Sequence, residues 1–153
     1  MAGFTTAMPN SFKVEILKAV HNFTASTGNT FKLALGKATA SVTGTYGAAT
    51  TSYDQLTSNS DELANGNGYA TGGATLTSIT PVLDSSTAVC DFDNYTWTSA
   101  TFTTSGGIIY NDTASGNPAC AILSFGGDQQ VSSGDFQIRF PAAAAATAII
   151  RIA

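Results

Sequence analysis

Charge is scarce in this 153-residue chain: Asp, Glu, Lys and Arg together make up 10% of it, against about 25% in an average globular protein. That excludes a coiled coil, whose heptads need Glu, Lys, Arg and Leu, and a highly charged disordered chain. Cations are scarcer still. No Lys or Arg occurs from Ala38 to Ile138, the stretch that holds nine of the ten acids, and the net charge is −4. Holding nucleic acid takes clustered Lys and Arg against phosphate, so no nucleic-acid partner is expected. Apolar runs all fall short of the roughly 18 residues that a membrane-spanning helix needs, so no membrane partner is expected either. Histidine occurs once (His21) and cysteine twice, at Cys90 and Cys120. A zinc site needs several such ligands at close spacing; neither a metal nor a cofactor is expected.

What fills the chain instead is small. Ala (24), Thr (23), Ser (15) and Gly (15) account for half of it. The length suits one domain. Residues 1–10 read as an extended arm, because Pro9 disfavours helix before it, and residues 11–153 as a single β-rich domain. Phe12, Ile16, Leu17, Val20 and Phe23 draw one apolar stripe at helical spacing. Asn10 or Ser11 is placed to cap that helix, which should stop near Asn22. The period then changes to two: Phe31, Leu33 and Leu35 alternate with Lys32 and Ala34, a half-buried strand.

Residues 36–51 read as irregular or edge strand, and 53–73, rich in Gly and Asn, as a long loop with tight turns. Strands are expected at 74–82, 87–92, 95–103, 107–111, 119–125, 135–140 and 148–152, with turns at Asp84-Ser85-Ser86, Asp93-Asn94, Ser105-Gly106, Ser115-Gly116-Asn117-Pro118, Gly126-Gly127-Asp128 and Ser133-Gly134. Pro141 and the alanines after it read as a hairpin connection between the last two strands. Short strands at such spacing predict an all-β fold: a β-sandwich, jelly-roll or immunoglobulin-like, with one N-terminal α-helix. Trp97 reads as a core anchor. Cys90 and Cys120, each in an apolar context, read as small buried hydrophobes, with a bridge across neighbouring strands as the alternative.

No reaction announces itself. No Gly-x-Ser-x-Gly nucleophile elbow surrounds any serine, and a lone His21 reads as structural or exposed. Residues 66–72 (GNGYATG) miss the dinucleotide fingerprint by one residue and lead into a strand, so no helix N-terminus is there for phosphate. Asp91 and Asp93 are candidate calcium carboxylates, but the twelve-residue loop pattern is absent, and a solvated turn is the reading. Asn22-Phe23-Thr24, Asn94-Tyr95-Thr96 and Asn111-Asp112-Thr113 match a glycosylation acceptor. The N-terminus lacks the basic start and apolar stretch of a secretory signal, so use without export is expected. No catalytic residue is identified, and the protein is not expected to be an enzyme. A surface of Thr, Ala, Ser and Gly costs little to desolvate, which suits packing among neighbours. Four residues of the arm and helix, Phe4, Met8, Lys13 and Lys18, are the candidate contacts.

Several segments together resemble a known family. They are residues 12–23 (FKVEILKAVHNF), 31–35 (FKLAL), 66–76 (GNGYATGGATL), 107–111 (GIIYN), 121–127 (AILSFGG) and 148–153 (AIIRIA). Their order and spacing resemble the small structural proteins encoded among the virion genes of tailed bacteriophages, over nearly the whole chain from Ser11. What the resemblance implies is a non-enzymatic virion component in many copies, most similar to a capsid cement or decoration protein. It implies the major capsid protein as partner and self-association, a homotrimer by that likeness, with assembly in the host cytoplasm. The alternative is a tail- or fibre-associated adhesin module, partnered by tail proteins, that binds cell-surface carbohydrate through exposed aromatics such as Tyr53, Tyr69, Tyr95 or Tyr110.

Overall fold

A computed structural model describes residues 2–153. It is mostly β, with 47% of residues in strands and 11% in helix, arranged as an all-β sandwich-like fold of three sheets. The chain begins with β1 (Gly3–Phe4) and α1 (Asn10–Leu17), then β2 (Phe31–Leu35), a 3-10 turn at Thr39–Ser41, β3 (Thr45–Tyr46) and α2 (Asp54–Ser58). The rest is β4 (Ala74–Leu76), β5 (Ser78–Asp84), β6 (Thr87–Phe92), β7 (Tyr95–Asn111), β8 (Ala119–Ile138) and β9 (Ile150–Ile152).

The central sheet has the order β4-β2-β7-β8, all antiparallel. Alternation sorts its residues to two faces. Phe31, Leu33, Leu35 and Ile109 face the larger core, which the β5-β6-β9 sheet and α1 close through Cys90, Phe92, Ile150 and Phe12. Ala34, Ile108 and Tyr110 face a second core, closed by Val42, Tyr46 and Leu56 together with Phe4 and Tyr53. With both faces covered, β2 and the adjoining half of β7 are buried almost without interruption.

Several elements depart from the sequence expectation. The helix ends at Leu17, not Asn22, because Ala19 turns into the left-handed region at φ 56° and reverses the chain. That reversal carries His21 and Phe23 into the core and leaves Leu17 exposed. Pro9 holds the N-cap, and no side chain caps the helix. The long loop of 53–73 contains α2. The stretch expected as strand 74–82 divides into β4 and the start of β5.

Ser105-Gly106 is no turn: the two strands expected around it are one, β7. Gly126-Gly127 and Ser133-Gly134 likewise fall within β8, where register shifts absorb the extra residues. One such irregularity breaks the even alternation of 95–103. Ser99 takes φ 52° and pairing shifts between Trp97 and Ala100, so both of these point inward. The last two strands do not form a hairpin. β9 pairs with β6 in the other sheet, and residues 141–148 cross between the sheets.

Residues 2–9 are extended along their own chain. β1 pairs in parallel with β3, and Ala7 exchanges backbone hydrogen bonds with Ile122 at 3.1 and 2.9 Å. Ser124 N–H donates to Thr6 Oγ1 at 3.0 Å, and Asn10 N–H to Ala48 O at 2.8 Å.

Candidate functional site

Three buried polar groups come closest to chemistry. The first is built where the reversal after α1 meets the end of β7. His21 Nε2 lies 2.9 Å from Glu15 Oε2, and its Nδ1 lies 3.1 Å from Asn111 Nδ2 and 3.7 Å from Cys120 Sγ. Asn111 Nδ2 also donates to Asn29 Oδ1 at 3.0 Å, while its Oδ1 accepts from the Thr113 and Ala114 amides. An amide nitrogen only donates. His21 Nδ1 is therefore the acceptor, and Nε2–H donates to Glu15. Cysteine, histidine and carboxylate are the residue types of a nucleophile, its base and its orienter. The environment runs against that chemistry. Cys120 is completely buried, and burial pushes its thiol well above the ordinary value, with the Glu15 charge and Cys90 adding to the shift. A nucleophile or metal ligand needs the thiolate. The cluster ties α1 to the β7–β8 turn.

The other two are carboxylates from the stretch read as loop. Asp61 accepts four hydrogen bonds: from Thr43 N–H (2.9 Å), Thr43 Oγ1 (3.1 Å), Gly44 N–H (2.7 Å) and Tyr46 OH (2.7 Å). Burial pushes its pKa up, but these donors outweigh that and hold it below the usual range. Glu62 accepts from Tyr53 OH and Tyr69 OH, each at 2.7 Å, and from Gly72 N–H at 2.6 Å. Burial, with Glu62 beside them, drives both phenols far above their usual pKa. Every oxygen of the pair is engaged within the chain.

Asp91 and Asp93 do not converge on a calcium site, and Asp91 is not in a solvated turn. It is fully buried, accepting from Phe92 N–H (2.9 Å) and Ile149 N–H (3.3 Å). Burial raises its pKa despite those bonds. Among the described residues no group of three or more His, Cys, Asp or Glu is placed to hold a metal ion. Cys90 and Cys120 are both free and buried, and burial, with Asp91 alongside, pushes the Cys90 thiol up to about 12. Among the described residues no helix is long and apolar enough to cross a membrane.

The candidate contact residues divide. Phe4 stacks on Tyr46 at 4.8 Å, and Met8 packs partly buried against the larger core, so both are engaged within their own chain. Lys13 and Lys18 are exposed at the helix end of the molecule. Of the aromatics considered for carbohydrate, Tyr69 and Tyr110 are buried. Tyr53 stacks on Tyr110 at 4.4 Å, and Tyr95 packs edge-on against Trp97 at 4.7 Å. They form no open row of stacking platforms.

Of the exposed large hydrophobics, the sequence reading placed Leu17 in the helical stripe and Val82 and Ile152 in strands, and left Val14 off the stripe and Leu83 outside any strand. Leu17 (88% exposed) and Val14 belong to α1, Val82 and Leu83 (71%) to β5, and Ile152 (55%) to β9. Leu83 pairs with Ala88, and Ala88 with Ile152. Paired residues share a face, so this exposed row continues the buried row Cys90–Ile150 beyond the core. Ile16 and Phe23 border the same groove. No protein family, no curated protein and no solved structure matches this chain.

Proposed function

We propose that the protein is a non-enzymatic structural component of a tailed-phage virion, a cement or decoration protein that binds the head and bridges major capsid subunits. The observation that carries the reading is the surface. Large apolar side chains stand exposed at the α1–β5–β9 end, while the polar clusters inside are turned wholly inward. Exposed apolar groups in a contiguous patch mark a surface meant to be covered. The family resemblance of the sequence supports the same assignment. Lys13 and Lys18 beside Val14 and Leu17 form the edge of that surface in place of Phe4 and Met8.

The mechanism is linkage. A ligand that binds assembled shell and not free subunits shifts the equilibrium toward the shell. The test is to mix the purified protein with heads of the encoding phage that lack it, then sediment the particles. Saturable recovery of hundreds of copies per particle, with raised resistance to heat, is the expected result. Recovery on tails alone moves the protein to the tail. Recovery on neither, or turnover of a small substrate, overturns the proposal.

A further inference from the structure

One edge of the central sheet is covered along half its length and bare along the rest. β8 is the last strand there. The N-terminal arm covers its first half, where Ala7 pairs with Ile122 and Ser124 N–H donates to Thr6 Oγ1. Residues 129–138 pair only with β7. An unpaired edge is a template for another strand, and soluble proteins usually guard one with Lys, Pro or bulges. Residues 129–138 contain neither Lys nor Pro, and the register shifts of the strand end before Phe136. From there Phe136, Gln137 and Ile138 face Trp97, Thr96 and Tyr95 in even order.

This regular end of the edge carries one charge of each sign. Asp135, Gln137 and Arg139 are exposed, while Phe136, Ile138 and Phe140 are half-buried against the larger core. Alternation therefore places Asp135 and Arg139 on the solvent side, four residues apart. Asp135 lies within β8, and Arg139 follows its last residue. Asp135 makes no hydrogen bond or ion pair among the described residues. Arg139 donates from Nε to Gln137 Oε1 at 2.7 Å, which leaves its two terminal nitrogens unengaged.

We infer that the occupant of this edge is the same edge of a second copy, in a closed two-fold dimer. A strand that pairs antiparallel with its own copy about Gln137 sets Asp135 opposite Arg139 twice, once on each side of the axis. The same register sets Phe136 opposite Ile138 on the inner face, where each is half-buried in the single chain. The nearest other registers that keep inner face beside inner face lie two residues away. They set Asp135 against Gln137 or against Pro141, so charge selects a single register. The contact is isologous, with the same patch on both partners, and it closes. It joins two four-stranded sheets edge to edge. The dimer differs from the homotrimer that the family resemblance implies; it concerns free protein and does not depend on the virion reading.

The test is sedimentation velocity of the full chain over a concentration series. Wild-type protein should form dimers and nothing larger. Asp135→Arg and Arg139→Asp each turn two attractive pairs into repulsive ones, and each should weaken dimerisation roughly tenfold or more. The double variant, Asp135→Arg with Arg139→Asp, exchanges the charges and should return the affinity to within about threefold of wild type. An equimolar mixture of the two single variants should also dimerise, because each supplies the charge that the other lacks. Both residues are exposed, and circular dichroism checks the fold. Should the double variant not fold, the mixture carries the rescue. A monomeric wild type, a trimer, single variants that associate as well as wild type, or a loss that neither rescue restores overturns the inference. Dimers that follow this pattern but bind neither heads nor tails support it and count against the virion reading alone.

Discussion

Asp61 holds together a segment with little regular structure. Its two oxygens serve four donors around Thr43, Gly44 and Tyr46. Asp61→Asn leaves one acceptor oxygen for those donors and strands some of them in a buried place, at about 1–3 kcal/mol each. We expect a loss of roughly 2–5 kcal/mol at neutral pH, read from urea unfolding. The pH dependence has a definite sign. Asp61 has a folded pKa below its unfolded value near 3.9, so its stabilisation is present above that value and lost as pH falls through the folded one. Asp91, with a raised folded pKa, acts oppositely. Its charged form costs stability once pH rises through the folded value, and acidification relieves this. Asp61→Asn should therefore flatten the acid limb of a stability–pH curve, leaving the Asp91 contribution in place. The thiols give a second check at this scale. With Cys90 pushed up to about 12 and Cys120 higher than usual and buried, neither should react with a thiol reagent in native protein at neutral pH. Both should react fully in denaturant. The burial of the two cysteines was legible in the sequence; the roles of Asp61 and Asp91 were not. A carboxylate in a Gly- and Asn-rich stretch looks the same whether it faces water or four donors.

At the scale of elements, the N-terminal arm depends on two glycines, Gly36 just past the end of β2 and Gly106 within β7. The Phe4 ring lies against Gly36 and Gly106, where a Cβ on either would run into it. At Gly36 the Phe4 ring supplies all the close neighbours; at Gly106 the Leu123 carbonyl crowds as well. Gly36→Ala should therefore cost about 1–3 kcal/mol by overpacking, and should speed proteolysis near the arm. In a Phe4→Ala background the same substitution should cost little, a coupling that a double-mutant cycle reads directly. These glycines also explain the strand misreading. Ser105-Gly106 has turn composition, but the glycine is there so that another segment can come close. Gly126-Gly127 and Ser133-Gly134 sit at irregularities of β8 for a related reason: they let a twenty-residue strand bend without ending. Local composition signals that the backbone departs from the regular strand, and does not say whether the chain reverses there. β2 and β6, by contrast, were legible nearly to the residue, since their apolar runs are short and bounded by turn residues.

For the molecule as a whole, the decisive feature is where burial stops. The smaller sheet continues its inner face past the core to Leu83, Ala88 and Ile152, and α1 ends with Leu17 in the open. If the protein acts on a shell by linkage, particle stability should rise with the logarithm of free protein concentration once the sites are near saturation. Heat-release assays over a dilution series read that slope. Variants at Leu17 and Leu83 should reduce it, with little change in the protein's own unfolding midpoint, because both side chains are exposed in the single chain. A helical stripe was legible in the sequence at 12–23. Which part of it stayed uncovered was not, because that depended on the reversal at Ala19.

The sequence by itself determined the β class, the buried character of Trp97 and the two cysteines, and the segregation of cations to the two ends. These follow from period and composition, which act over a few residues. Tertiary structure alone decided that the arm lies along its own chain, that β9 leaves β8 for the other sheet, and that Asp61, Glu62, Asp91 and His21 turn inward. The physical reason is that pairing partners and hydrogen-bond donors are brought together across tens of residues, where no local pattern records the choice.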